Sequence, residues 1–245
     1  AYLGIWVISP KRLFTNNWQD ELWLVAGGIF GGSLYFFTEN TALGITQASN
    51  VSFIICTAPL LTTILSLLFY KSEKASKGLI YGSLLALMGV GLIVFNGSFV
   101  LKISPIGDLL TLLAALSWAF YSLIIKKMAG RYPTIFITRK IFFYGVLTIL
   151  PAFLLHPLHP DTVVLLQPAV LFNLLFLAVL ASLICYVLWN VVLKQLGTVR
   201  ASNYIYLNPL VTMIASFLIL DEKITLVALG GAACIVCGVY WAEKK

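Results

Sequence analysis

TVRASNYIYLNPLVTMIASFLILDEKIT, residues 198–225, repeats in outline the earlier stretch TQASNVSFIICTAPLLTTILSLLFYKSEKAS, residues 46–76. Each opens on Ala-Ser-Asn (Ala48-Ser49-Asn50 and Ala201-Ser202-Asn203) and carries a proline within an apolar run (Pro59 and Pro209). Each leaves that run through Glu-Lys (Glu73-Lys74 and Glu222-Lys223) and enters a glycine-rich apolar segment. A fixed order of features met twice is the mark of an internal duplication, and a repeat constrains the architecture before any single residue does.

The composition says which solvent the duplicated unit meets. The 245 residues are 60% hydrophobic and only 10% charged, against about 25% charged in soluble domains. Gly78–Leu101, Pro168–Leu193, Ala201–Leu220 and Ile224–Ala242 hold no Asp, Glu, Lys or Arg. Each is long enough to cross ~30 Å of hydrocarbon as a helix. Leu22–Tyr70 carries one charge, Glu39, and is long enough for two spans. Continuous runs, without alternation at period two, exclude a membrane β-barrel.

In chain order the expected spans are Leu22–Leu43, Gln47–Tyr70, Gly78–Phe95, Gly107–Ile125, Ile135–Leu155, Pro168–Leu193, Ala201–Leu220 and Ile224–Ala242. A tight turn is expected near Gly44. Ala1–Ile8 reads as the tail of a further span, ended by Ser9-Pro10-Lys11-Arg12. The break at 97–106 has linker composition and separates a first repeat, residues 1–96, from a second, residues 107–245.

Alternating spans place fourteen of the sixteen lysines and arginines on one side, leaving Lys102 and Lys223 on the other. The positive-inside rule assigns the basic side, with the C-terminus, to the cytoplasm of a cell membrane. It also accounts for the net charge of +7 without a nucleic-acid partner, which would need a basic stripe on a soluble face. On this layout Glu73 lies inside and its counterpart Glu222 outside, so the two copies cross in opposite directions. Five spans per repeat produce that inversion. The second half holds five, so about one and a half spans are expected before Ala1. The expected fold class is an all-α polytopic membrane protein of two inverted five-helix repeats, ten spans when complete. Such repeats are the architecture of many secondary transporters, with the site near the midplane.

The pattern resembles the EamA-type members of the drug/metabolite transporter superfamily. The residues that carry the resemblance are Pro59, Glu73, Gly82, Gly89 and Gly91 in the first copy, and Asn208-Pro209, Glu222, Gly230, Gly231 and Gly238 in the second. Leu116-Ser117-Trp118-Ala119 opens the second half in the same manner. The resemblance implies ten spans and alternating-access transport of small metabolites, and it does not name the solute.

Individual residues admit two readings each. Glu39 lies seventeen residues beyond Leu22, roughly 25 Å across at ~1.5 Å per residue. A carboxylate within the bilayer costs roughly 2.5–3.5 kcal/mol at its centre and less near the interface. It is either a proton-coupling or cation-recognising group, or a carboxylate near enough to the headgroups to stay wet. Asn190 sits by offset where Asn40 lies in the first half, and with Tyr186 forms a polar stripe at i, i+4. Asn203, Tyr204, Tyr206 and Asn208 crowd the span broken by Pro209, which frees a carbonyl about a turn upstream, near Ile205. Such side chains either line a solute cavity or hold helices together. Trp118 and Tyr121 form an aromatic wall suited to an amphipathic solute, or an ordinary packing face.

The candidate solute contacts are therefore Trp118, Tyr121, Asn190, Asn203, Tyr206 and Asn40, with Glu39 for coupling and Pro59 and Pro209 as helix breaks. Cys234 and Cys237, deep in an apolar helix, read as small packing residues, and His156 with His159 as solvated loop residues rather than a metal site. No cofactor and no metal are expected. The expected partners are a small-molecule solute, the lipid bilayer and, as coupling ion, protons; a homo-oligomer is left open. Secondary transport, with export of an amino acid or similar metabolite, is the function this supports. A non-transporting membrane scaffold or sensor is the alternative. An intramembrane serine protease would need a histidine at membrane depth, and both histidines fall in a loop.

Overall fold

The computed structural model describes residues 14–15, 17–70, 76–95, 104–155, 162–220 and 224–244. Every regular element among them is helical. Seven helices among the described residues are long and apolar enough to cross a membrane: Ala48–Phe69, Lys77–Phe95, Pro105–Ala129, Thr134–Ala152, Pro168–Leu196, Thr198–Ile219 and Leu226–Glu243. The span expected at Leu22–Leu43 lies within a helical rod over 18–45. In that rod Trp18–Gly28 passes through the π-helical turn Ile29–Ser33 into Leu34–Ile45. The protein is an all-α polytopic membrane protein. Helices satisfy every backbone group internally, which hydrocarbon demands. Large side chains such as Leu218, Ile219 and Leu226 stay exposed because lipid is their solvent.

One boundary differs in kind from expectation. Gly44 is not in a turn; it lies inside Leu34–Ile45. The helix breaks two residues later, because the Thr46 amide still reaches the Ala42 carbonyl at 2.8 Å while Gln47 is already extended. The expected Ala1–Ile8 tail, most of the inter-repeat break, Glu73, Glu222, His156 and His159 fall outside the described residues.

The chain packs as two compact units. One combines the chain up to Leu34 with Ile124–Leu196, and the other combines Tyr35–Leu123 with Gly197–Lys245. Each unit thus draws on both halves of the sequence.

In the first unit, Trp18–Gly28 and its π-turn lie along Thr134–Leu155. The approach is close because small residues face each other. A Cβ on Gly28 would stand 2.5 Å from the Tyr144 Cβ and 2.8 Å from the Gly145 amide, and one on Gly32 would stand 3.1 Å from the Gly145 Cα. Ser33 and Thr148 share a hydroxyl hydrogen bond of 2.8 Å across the same seam. At the start of the rod, Glu21 pairs with Lys140 and accepts a hydrogen bond from the Tyr144 hydroxyl. Its other oxygen accepts from the Thr15 hydroxyl at 2.6 Å and the Thr15 amide at 2.9 Å. Burial alone would push the Glu21 carboxyl up, but the donors Lys140, Thr15 and Tyr144 outweigh it and hold the carboxyl at about 2. One residue earlier, Asp20 accepts from Arg131 and, at 2.9 Å, from the Tyr132 hydroxyl. Two adjacent carboxylates therefore anchor one helix end by five charged or polar partners.

In the second unit the central feature is the antiparallel pair Lys77–Phe95 and Leu226–Glu243. Gly89 faces Gly231, where a Cβ on Gly89 would lie 2.5 Å from the Gly231 carbonyl oxygen. Gly238 faces Gly82, with a matching 2.5 Å from its own Cβ position to the Gly82 carbonyl oxygen. Small residues bringing backbones together are the usual basis of helix association in lipid, where apolar burial gives no driving force. Cys56, Ala86, Val90, Tyr206, Ile235 and Val239 close the core around this pair.

Candidate functional site

Most of the polar and aromatic candidates come together in the second unit. Glu39 and Tyr35 lie one turn apart on Leu34–Ile45, so their side chains share a face, and the Tyr35 hydroxyl donates to a Glu39 carboxylate oxygen at 3.0 Å. Tyr35 also meets the Trp118 ring at 5.2 Å between centroids, and Trp118 meets Tyr121 at 5.2 Å. Both contacts are tilted, a favourable arrangement for aromatic pairs at this separation. The result is a continuous aromatic run with a carboxylate at one end. Trp118 is half-buried and Tyr121 fully buried.

Pro59 and Pro209 each occupy the first turn of a second half-helix. Ala48–Ile55 ends before Cys56 and Thr57, and Ala58–Phe69 resumes with Pro59. Thr198–Asn203 passes into the 3-10 turn Tyr204–Leu207 before Asn208–Leu220 resumes with Pro209. The first helical turn is where a missing amide costs least. The carbonyl expected to be freed near Ile205 is not free. The tighter 3-10 winding brings the Asn208 amide onto it, so the backbone at the break satisfies itself.

Asn203 is fully buried at this break. Its Oδ1 accepts from the Ser83 hydroxyl at 3.4 Å, while its Nδ2 has no hydrogen-bond partner within the protein. The Ser117 hydroxyl, beside Trp118 in sequence, is likewise buried without a partner. Each such group carries a penalty of ~1–3 kcal/mol unless something outside the chain satisfies it. Tyr206, placed with Asn203 among the cavity candidates, is fully buried with its ring against Cys56, Ala86 and Val90, and its hydroxyl is on the same footing as Asn203 Nδ2, buried without a hydrogen-bond partner within the protein. Asn40 stands exposed on its helix, one position round from Glu39.

Asn190 belongs to the first unit. Its Nδ2 donates to the Thr138 hydroxyl at 2.8 Å, and the Tyr186 hydroxyl, one turn earlier, donates to the Gly31 carbonyl at 2.8 Å. The polar stripe is real, and both of its members bind neighbouring helices. Tyr186 reaches a carbonyl inside the π-turn, where the regular backbone ladder is interrupted.

Three participants escape a residue-by-residue reading. Tyr35 was detectable, since it stands four residues before the single intramembrane carboxylate of its helix. Ser83 and Thr138 carry no signal beyond being hydroxyls in apolar helices. Among the described residues no group of three or more His, Cys, Asp or Glu could hold a metal ion.

The chain is 28% identical over 246 residues to an uncharacterized transporter of Archaeoglobus fulgidus, covering 99% of this chain and 83% of that protein. It is 29% identical over 182 residues to a probable amino-acid metabolite efflux pump of Salmonella typhimurium, covering 70% of this chain and 60% of that protein. A protein of the same description from Escherichia coli is 23% identical over 205 residues, covering 81% of this chain and 69% of that protein. A solved crystal structure, 18% identical, superposes with a TM-score of 0.81 over 99% of this chain and 82% of its own, which establishes a shared fold. The EamA-like transporter family matches residues 1–95 and 105–242. With nearly the whole chain matched, the protein belongs to the EamA-like transporter family and is a membrane transporter.

Proposed function

We propose that the protein is a secondary transporter that exports a small amphipathic metabolite, such as an amino acid, by alternating access. The observation that carries the reading is the run Glu39–Tyr35–Trp118–Tyr121. It sets a carboxylate that can exchange a proton or pair with an ammonium against aromatic faces that can take an apolar side chain. Asn203 Nδ2 and the Ser117 hydroxyl, buried and unpartnered within the protein, supply a donor and a hydroxyl for the solute's polar end. The relatives described as probable amino-acid metabolite efflux pumps support the solute class and the direction. The same reading places the protein in the inner or plasma membrane, with the C-terminus on the basic, cytoplasmic side.

Inverted repeats are part of this proposal. Gly231 follows Gly82 by 149 residues, and Gly238 follows Gly89 and Glu222 follows Glu73 by the same 149. The spatial pairs are Gly82 with Gly238 and Gly89 with Gly231. Each glycine therefore meets the equivalent of the other glycine on its own helix, the reciprocal pattern that a local two-fold axis generates. That pattern supports an origin in two oppositely oriented copies.

The test is efflux of a pooled set of amino acids from proteoliposomes. Trp118→Ala and Asn203→Ala are expected to slow efflux of the transported solute at least tenfold while the protein stays folded. Full activity in both variants would remove these residues from the solute path. Absence of flux for every amino acid in the pool would overturn the proposed solute class.

A further inference from the structure

A groove of about 780 Å³ lies between the starts and ends of the two glycine-paired helices of the second unit. Its position follows from Gly78. A Cβ there would stand 2.9 Å from the Trp241 carbonyl oxygen and 3.4 Å from that of Lys244. This close approach sets Lys77, at the start of one helix, beside Lys244, at the end of the other. Both lysines line the groove, and among the described residues no carboxylate does. The adjacent Glu243 turns instead toward Arg200, at 4.0 Å. Below the lysines, Tyr81 and Trp241 flank the opening, and Leu84 and Met88 continue it along the apolar face. These side chains point outward: Tyr81 is 63%, Met88 67% and Trp241 54% exposed.

The order of chemistries along the groove is cation, aromatic, aliphatic. That is the order of phosphate, glycerol-ester and acyl chain in a phospholipid at the membrane interface, where aromatic rings settle at headgroup level. The volume is in the range of small-molecule sites. We infer that this groove binds an anionic phospholipid, with the phosphate between Lys77 and Lys244 and an acyl chain along Leu84 and Met88. The inference rests on the protein's being a membrane protein and is independent of what it transports. Basic clefts between spanning helices are recognised sites for anionic headgroups, each lysine near the surface contributing about fivefold in affinity.

The experiment is native mass spectrometry of the detergent-purified protein, titrated with phosphatidylglycerol or phosphatidylcholine of the same chains. Phosphatidylglycerol is expected to be retained preferentially. Its retention is expected to fall about 25-fold in K77Q/K244Q, from about fivefold per lysine, and to persist in K77R/K244R, which keeps both charges. Phosphatidylcholine retention is expected to be equal in all three. Met88→Trp, which fills the acyl end and leaves the charges in place, is expected to lower retention of both lipids. Equal retention of the two lipids by the parent protein would overturn the inference, as would undiminished phosphatidylglycerol binding in K77Q/K244Q. Displacement of the lipid by millimolar inorganic phosphate would show a free-anion site instead. Crosslinking of Tyr81→Cys to the same position in a second copy would show that the groove is a dimer contact.

Discussion

Gly89→Ala is the smallest change that strikes the packing on which the second unit depends. The added methyl would lie 2.5 Å from the Gly231 carbonyl oxygen, 2.8 Å from the Ile235 amide and 2.9 Å from the Cys234 Cβ. Two of these three atoms belong to the backbone of a continuous helix, so no rotamer change relieves the clash. The helices must separate by about 1 Å to restore ordinary contact, loosening the core around Ala86, Val90 and Ile235. Overpacking of this kind costs about 1–3 kcal/mol, and alanine's better helix propensity returns at most ~1 kcal/mol of it. A net loss of about 1–2 kcal/mol lowers the melting temperature by roughly 2–8 °C in a chain of this size. Gly230→Ala is the matched control, on the facing helix, because a Cβ there meets nothing within 4 Å. Thermal melting in detergent, followed by circular dichroism, compares the two. Equal stability of Gly89→Ala and the parent, or an equal loss in Gly230→Ala, would refute the packing argument.

Glu21→Gln leaves Lys140 buried without its partner and is expected to cost about 3 kcal/mol, read by chemical or thermal unfolding. Because the Glu21 carboxyl is held at about 2, below the ordinary 4.5 of a glutamate, its contribution is complete above pH 4.5. It is lost as pH falls toward 2. The stability gap between parent and variant is therefore expected to narrow with acidification, and a gap that widens would contradict the sign. Tyr186→Phe removes the donor to the Gly31 carbonyl, and a loss of about 0.6–1.7 kcal/mol is expected for a hydrogen bond between spanning helices. Hydrogen exchange is expected to accelerate at Ile29–Ser33 and to be unchanged in Lys77–Phe95.

The spans were legible because the bilayer imposes one rule on them: length and apolarity suffice, whatever the neighbours. What the sequence hid depends on neighbours. The π-turn at Ile29–Ser33 arises where glycines press against Gly145 and Tyr186 takes a carbonyl, a tertiary arrangement with no local signature. Lys140 counts among the cytoplasmic cations in the sequence, yet it lies inside Thr134–Leu155 and is buried on Glu21. Charge counting registers which side a residue is on and cannot register its partner. Polarity marked Asn190 and Asn203 alike, while only packing separates the one bonded to Thr138 from the one with an unpartnered amide. Tyr206 carried the same polar signal, and only packing shows its ring held among Cys56, Ala86 and Val90.

Glu39→Gln tests the central claim most directly, since it removes the charge at the end of the Tyr35–Trp118–Tyr121 run while keeping the side chain's shape. Efflux is followed from proteoliposomes with and without an imposed pH gradient, for the parent and the variant. The account predicts gradient-stimulated efflux in the parent and loss of that stimulation in Glu39→Gln. Gradient-stimulated efflux that survives in the variant would contradict it and leave Glu39 as a wet carboxylate at the membrane edge.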